Sequence, residues 1–167
     1  MSSLLTPPNL NNLKITALIN AYCAVNIPLL AFITPRVVEL NEQRAVVRVR
    51  LDRRSRNHLG VMYFGALAMG SELSVALKAL TAIHDSGKKI DFIFKDFQAE
   101  FLKRADGHVH FVCDEAARVQ DLINRAAASA GRFNETFHGF AYVPKSGEEP
   151  VMKYRLTLSV RQRMPKA

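Results

Sequence analysis

The sequence predicts an α+β domain in which an antiparallel sheet wraps one long, almost wholly apolar helix. Three observations carry this expectation. Residues 64–84 are apolar nearly all round, with no breaker except Gly65 and Gly70, and a helix of that kind is buried on most sides. The flanking segments alternate apolar and polar residues, the pattern of half-buried strands. No linker, repeat or low-complexity tract divides the chain, so residues 1–167 read as one unit. Strands gathered around one central helix are an α+β arrangement.

The elements follow in order. The first residues carry Ser, Thr and the pair Pro7-Pro8, a loop that leads into a helix over 10–25. Pro28 and Pro35 punctuate what comes next. A weak strand is expected over 36–40 and a clear one over 44–51. In the second, Ala45, Val47, Val49 and Leu51 alternate with Arg44, Val46, Arg48 and Arg50. The long helix follows, and Gly87 stops it. Residues 90–101 and 108–114 then read as a hairpin turning at Asp106-Gly107. Phe92 and Phe97 have opposite parity, so a bulge near Lys95-Asp96 is needed to keep one apolar face. A short amphipathic helix over 115–130 carries the stripe Val119, Leu122, Ile123 and Ala126, with Gly131 ending it. Strands over 133–143 and from Met152 to Val160 close the sheet, joined by a turn over 145–150.

Composition is that of a globular protein, with 49% apolar and 23% charged residues and a formal charge of +8. The basic residues are spread along the chain, with two denser clusters among them. One holds Arg48, Arg50, Arg53, Arg54 and Arg56; the other holds Arg155, Arg161, Arg163 and Lys166. Neither is interleaved with aromatics, so no nucleic-acid partner is expected. They are solvated strand faces, or a rim that draws an anionic ligand such as the phosphates of coenzyme A. Cys23 and Cys113 lie far apart without metal spacing, which predicts free thiols in a reducing cytoplasm. The apolar stretch over 17–33 contains Asn20, Asn26 and Pro28, is too short for a membrane span, and lacks a basic leader.

One constellation carries chemistry. Across residues 59–77, Glu72 is the only charged side chain. A carboxylate in such surroundings is costly to desolvate. It sits at a wet edge, pairs with Lys78 or a loop arginine, or has its pKa raised toward the range useful for proton transfer. Gly65 lies seven residues earlier, two turns along the same face. It falls at the helix N-terminus, where unpaired N–H groups and the helix dipole favour a developing oxyanion. Its missing side chain would let a carbonyl approach.

The run Asn57-His58-Leu59-Gly60-Val61-Met62-Tyr63-Phe64-Gly65, closed by Glu72, resembles the signature of hotdog-fold thioesterases of the phenylacetate-pathway type. Asn57, Gly60, Gly65 and Glu72 match at the right spacing. Tyr63 stands where the family has His, and Phe64 where it has its first Gly. The relaxed motif resembles an uncharacterised branch of that superfamily. The resemblance implies a hotdog fold, no cofactor or metal, and a homodimer or a dimer of such dimers. It implies an acyl-coenzyme A or other acyl-thioester substrate. Glu72 would activate water or attack the carbonyl, the Gly65 N–H would hold the oxyanion, and Asn57 would position water or substrate. His58, Gly60, Tyr63 and Phe64 would line the substrate. A non-catalytic acyl or acyl-coenzyme A binder is the alternative, and Phe64 favours it. A hydratase would need a histidine paired with an acid, and only His58 lies near the motif. His108 and His110 share a strand face, which is two ligands short of a metal site.

Overall fold

The computed structural model describes residues 10–163. Pro7-Pro8 and Lys166 lie outside them. The described residues form four α-helices, one 3-10 turn and six strands, in the order α1 (Leu10–Asn26), α2 (Pro28–Phe32), β1 (Arg36–Leu40), β2 (Ala45–Val49), α3 (Phe64–Ser86), β3 (Ile90–Phe101), β4 (Val109–Cys113), α4 (Ala116–Ala128), β5 (Arg132–Tyr142), the short 3-10 turn (Pro144–Ser146) and β6 (Pro150–Gln162). The strands make one antiparallel sheet, ordered β1-β2-β4-β5-β6-β3. This sheet curves around α3 in the hotdog arrangement.

The expected hairpin of β3 with β4 does not form. β3 pairs with β6 along its whole length, while β4 sits between β2 and β5. The chain leaves β3 at one sheet edge and crosses to the other half of the sheet. Asp106-Gly107 therefore belongs to a crossover loop rather than a two-residue turn. The bulge falls between Phe94 and Asp96. It brings Phe94, Phe97, Ala99 and Phe101 opposite Leu158, Leu156, Tyr154 and Met152 of β6, so both halves of β3 present one face to the helix side.

The alternation read along each strand sorts the two faces. Ala45, Val47 and Val49 of β2, Val109, Phe111 and Cys113 of β4, and Leu156, Leu158 and Val160 of β6 point into the core. α3 fits closely against them because its contact positions are small. A Cβ on Gly70 would stand 2.2 Å from the Phe111 ring. The helix ends where Gly87 adopts φ +64, a left-handed conformation that favours glycine. α4 docks its stripe Val119, Leu122, Ile123 and Ala126 fully into the core. Burying each of its larger side chains contributes about 1.5–3 kcal/mol. Gly131 does not cap it: α4 runs into an extended Ser129 instead.

α1 covers the outer edge of β1, where backbone groups would otherwise be unpaired. The Thr16 Oγ1 accepts the Val37 N–H at 2.9 Å, and Asn12 Nδ2 donates to the Val38 carbonyl at 2.7 Å. Asn20 Nδ2 donates to the Pro35 carbonyl at 2.8 Å. The polar residues of this apolar helix thus act as fasteners. Among the described residues one helix, α3, is long and apolar enough to cross a bilayer, and most of it lies inside the domain.

Candidate functional site

The site is built on the loop before α3 and on the first two turns of that helix. Asn57 organises the loop. Its Oδ1 accepts the N–H groups of Leu59 (2.9 Å) and Val61 (3.3 Å), and its own N–H donates to the Val61 carbonyl. Asn57 is therefore first a turn former. Gly60 lies at φ +77 within that turn, which explains the glycine by backbone alone. His58 and Leu59 are exposed on the loop surface. The loop is tied down where the Met62 N–H donates to Ala105 and the Tyr63 N–H to Ser55.

Tyr63 is the N-cap of α3, with an extended backbone and no side-chain cap. The first N–H to find an acceptor is that of Leu67, which donates to the Tyr63 carbonyl at 3.0 Å. Phe64, Gly65 and Ala66 thus begin the helix with N–H groups that have no acceptor among the described residues. Such a terminus carries a partial positive charge.

Gly65 differs from the expectation in one respect. The space a side chain would occupy is not open, since a Cβ there would stand 2.4 Å from Cε1 of Tyr63. The Tyr63 ring folds back over the helix start and meets Phe64 edge-on at 5.7 Å. Phe64 in turn meets Phe101 of β3 edge-on at 6.2 Å. All three rings are exposed, as are neighbouring Leu59 and Leu102. An apolar, largely aromatic patch therefore surrounds the N-terminus of α3.

Along α3, Gly65, Ala68, Met69 and Glu72 are half-buried, while Ala66, Leu67, Gly70, Ser71, Leu73 and Ser74 are buried. The spacing of three, four and seven defines one partly open stripe on an otherwise buried helix. Glu72 stands on it, about 10 Å along the axis from Gly65. Among the described residues it has neither an ion pair nor a hydrogen-bond partner, so neither Lys78 nor a loop arginine pairs with it. Burial pushes its carboxyl pKa up. The buried Cys23 thiol of α1 is pushed up by its own burial and then by the charge of Glu72. Ile19 of α1 lines a small cavity with Leu73 and Leu77 of α3, which makes α1 a neighbour of that helix that sequence spacing could not reveal.

The remaining candidates lie elsewhere. His108 and His110 are on the outer face of the sheet, and no group of three His, Cys, Asp or Glu side chains among the described residues is placed to hold a metal ion. Cys113 is free and buried, its thiol pushed up to about 11 by desolvation.

Comparison with known proteins agrees with this fold. The family described as "Domain of unknown function (DUF4442)" matches residues 16–160. No curated protein matches the chain. Among solved structures, a crystal structure described only as that of a genomics target is 26% identical, covers 89% of this chain and 90% of its own, and superimposes with a TM-score of 0.65. A Pseudomonas aeruginosa protein of unknown function, described as a probable thioesterase, is 22% identical over 89% of this chain and 96% of its own, with a TM-score of 0.71. A thioesterase family protein from Silicibacter pomeroyi is 16% identical over 89% and 99%, with a TM-score of 0.64.

Proposed function

The chain belongs to the family described as Domain of unknown function (DUF4442), and from that premise we propose that it hydrolyses acyl thioesters, acyl-coenzyme A esters first among them, at the N-terminal face of α3. The observation that carries this reading is Glu72. It is an unpaired, half-buried carboxyl on the same stripe as the unpaired N–H groups of the helix start. The thioester carbonyl lies against the Gly65 N–H, with the Phe64 and Ala66 N–H groups beside it. Glu72 accepts a proton from water as the water oxygen bonds to the carbonyl carbon. The oxyanion is held by the helix terminus. Its collapse breaks the C–S bond, and the thiolate leaves and takes up a proton. A raised pKa makes Glu72 a stronger base in this step.

The other residues follow from their geometry. Asn57 Oδ1 is committed to its turn, so only its amide Nδ2 remains to position water or substrate. Tyr63 and Phe64 form the wall for the acyl group, and Gly60 and His58 shape its rim. The Tyr63 ring must swing off Gly65 for the carbonyl to enter, which its half-exposed position permits. That ring also supports a second reading, an acyl-coenzyme A binder without turnover.

The assembly belongs to the same proposal. β3 is a twelve-residue edge strand with Ile93, Phe97 and Phe101 exposed. A long apolar edge invites pairing with another strand. A second copy pairing there would form a homodimer and close the patch around Phe64 and Phe101, and such dimers would pair again. The unit is one domain, cytoplasmic, and needs no metal or organic cofactor. The test is release of free thiol from a panel of acyl-coenzyme A esters by wild type and Glu72→Gln. Turnover by wild type and its loss in the variant supports hydrolysis. Tight binding without turnover supports the second reading.

A further inference from the structure

The outer face of the sheet carries a row of basic and aromatic side chains that the thioesterase reading does not use. Strand register places Arg36 opposite Arg48, Arg48 opposite His110, and His110 opposite Tyr142. The row crosses β1, β2, β4 and β5. Neither Arg36 nor Arg48 has an acidic partner among the described residues. The Nε of Arg48 is buried there without a hydrogen-bond acceptor among the described residues. A buried guanidinium donor left unpaired is expensive, and such groups call for an explanation.

Beside Arg48 lies a cavity of about 380 Å³, lined among others by Arg48, His108, His110, Lys145 and Asp106. His108 Nδ1 accepts the Leu51 N–H at 3.0 Å, so its ring proton is on Nε2. His110 packs edge-on against Tyr142, with ring centroids 5.4 Å apart. Lys145 Nζ donates to the Asp106 carbonyl at 2.8 Å and lies 3.3 Å from its carboxylate. Asp106 is thus spoken for by Lys145, and Arg48 keeps an uncompensated positive charge. That charge joins desolvation in holding His110 deprotonated, its pKa lowered to about 4.

We infer that this cavity binds a small phosphorylated ligand, with Arg48 as the central donor and His108 and Lys145 as flanking donors. The planar guanidinium fork matches two phosphate oxygens. An arriving anion would meet the terminal Nη groups of Arg48, which have neither an ion pair nor a hydrogen-bond acceptor among the described residues. The volume admits a diphosphate or a phosphate ester. None of these residues belongs to the 57–72 segment, and binding of a phosphate here is read without any thioester turnover.

Inorganic pyrophosphate titrated into the full chain, followed by calorimetry and by histidine NMR resonances, tests it. Saturable binding at one site per chain is expected, with the His108 and His110 signals moving together. Arg48→Gln should weaken affinity about tenfold or more, and Glu72→Gln should leave it unchanged. Should Arg48→Gln fail to fold, Lys145→Gln at the exposed rim should still weaken binding severalfold with an unchanged circular dichroism spectrum. Adenosine diphosphate run in parallel separates sources: tighter binding than pyrophosphate assigns a nucleotide, and equal binding assigns the diphosphate alone. Absence of saturable binding, wild-type affinity in a folded Arg48→Gln, or wild-type affinity in Lys145→Gln when Arg48→Gln does not fold overturns the inference.

Discussion

The hydroxyls of Ser74 and Tyr154 lie 2.8 Å apart in the core, joining the central helix α3 to strand β6. Tyr154 Oη also donates to the Val112 carbonyl of β4 at 3.0 Å. The phenol is held protonated, since burial pushes its pKa far up. Ser74 stands two residues after Glu72, so this bridge fixes the rotation at which α3 presents its carboxylate. Tyr154→Phe leaves the Ser74 hydroxyl without this partner and should cost about 1–3 kcal/mol, read as a lower midpoint in chemical denaturation. Under the proposed function, it should also lower kcat more than it raises KM.

The contact between Gly70 and Phe111 makes a second prediction. A methyl at position 70 would have to displace a fully buried ring. Gly70→Ala should therefore destabilise the protein by about 1–3 kcal/mol, although alanine favours helix. A thermal melt at or above the wild-type midpoint would contradict the close packing of α3 on Phe111.

Glu72 couples chemistry to stability through one sign. Its carboxyl pKa is raised in the folded state by burial. Once pH exceeds the unfolded-state value, the unfolded chain releases this proton more readily than the native one, and folding is penalised. Glu72→Gln should accordingly be more stable than wild type at pH 7, with the gain shrinking as pH falls through the ordinary carboxylate range. Thioesterase activity should drop about a hundredfold or more in the same variant. Together the two readouts separate a working carboxylate from a structural one.

His110 titrates with the opposite consequence. Burial first, then the charges of Arg48 and His108, lower its pKa to about 4. Between the unfolded value near 6.5 and that figure, the unfolded chain takes up a proton that the native protein refuses. Wild-type stability should fall as pH drops through this window. Denaturation of His110→Gln between pH 7 and 4.5 should show a visibly flatter dependence.

The proposed dimer has its own test. Ile93→Lys places a charge on the free edge of β3, a device that blocks strand addition. Sedimentation should show wild type as a dimer or larger and the variant as a monomer with unchanged secondary structure.

Much of this architecture was legible in residue order. The apolar run of α3, the Val119–Leu122–Ile123–Ala126 stripe and the parity break near Lys95 each follow from local periodicity, and each stands in the structure. The pairing of β3 was not legible. Parity says which face a residue takes and not which strand lies beside it, so the nearer strand β4 was the natural expectation. The motif spacing pointed to Glu72 and the helix start, but not to Tyr63 lying over Gly65 or to α1 lying against that helix. Both depend on side-chain direction across a turn and between helices. The basic row of Arg36, Arg48 and His110 was visible only as scattered charge, because register assembles it from three strands.

The crossover also has a consequence for synthesis. β3 finds its partner only in β6, more than fifty residues downstream. A ribosome that has reached residue 149 has already released β3 with its phenylalanines and both edges bare. Until residues 150–162 emerge, the nascent chain carries an adhesive strand and no partner in cis. This interval is the one in which holdase chaperones would engage it, and a stop codon falling there would leave an aggregation-prone fragment rather than a smaller domain.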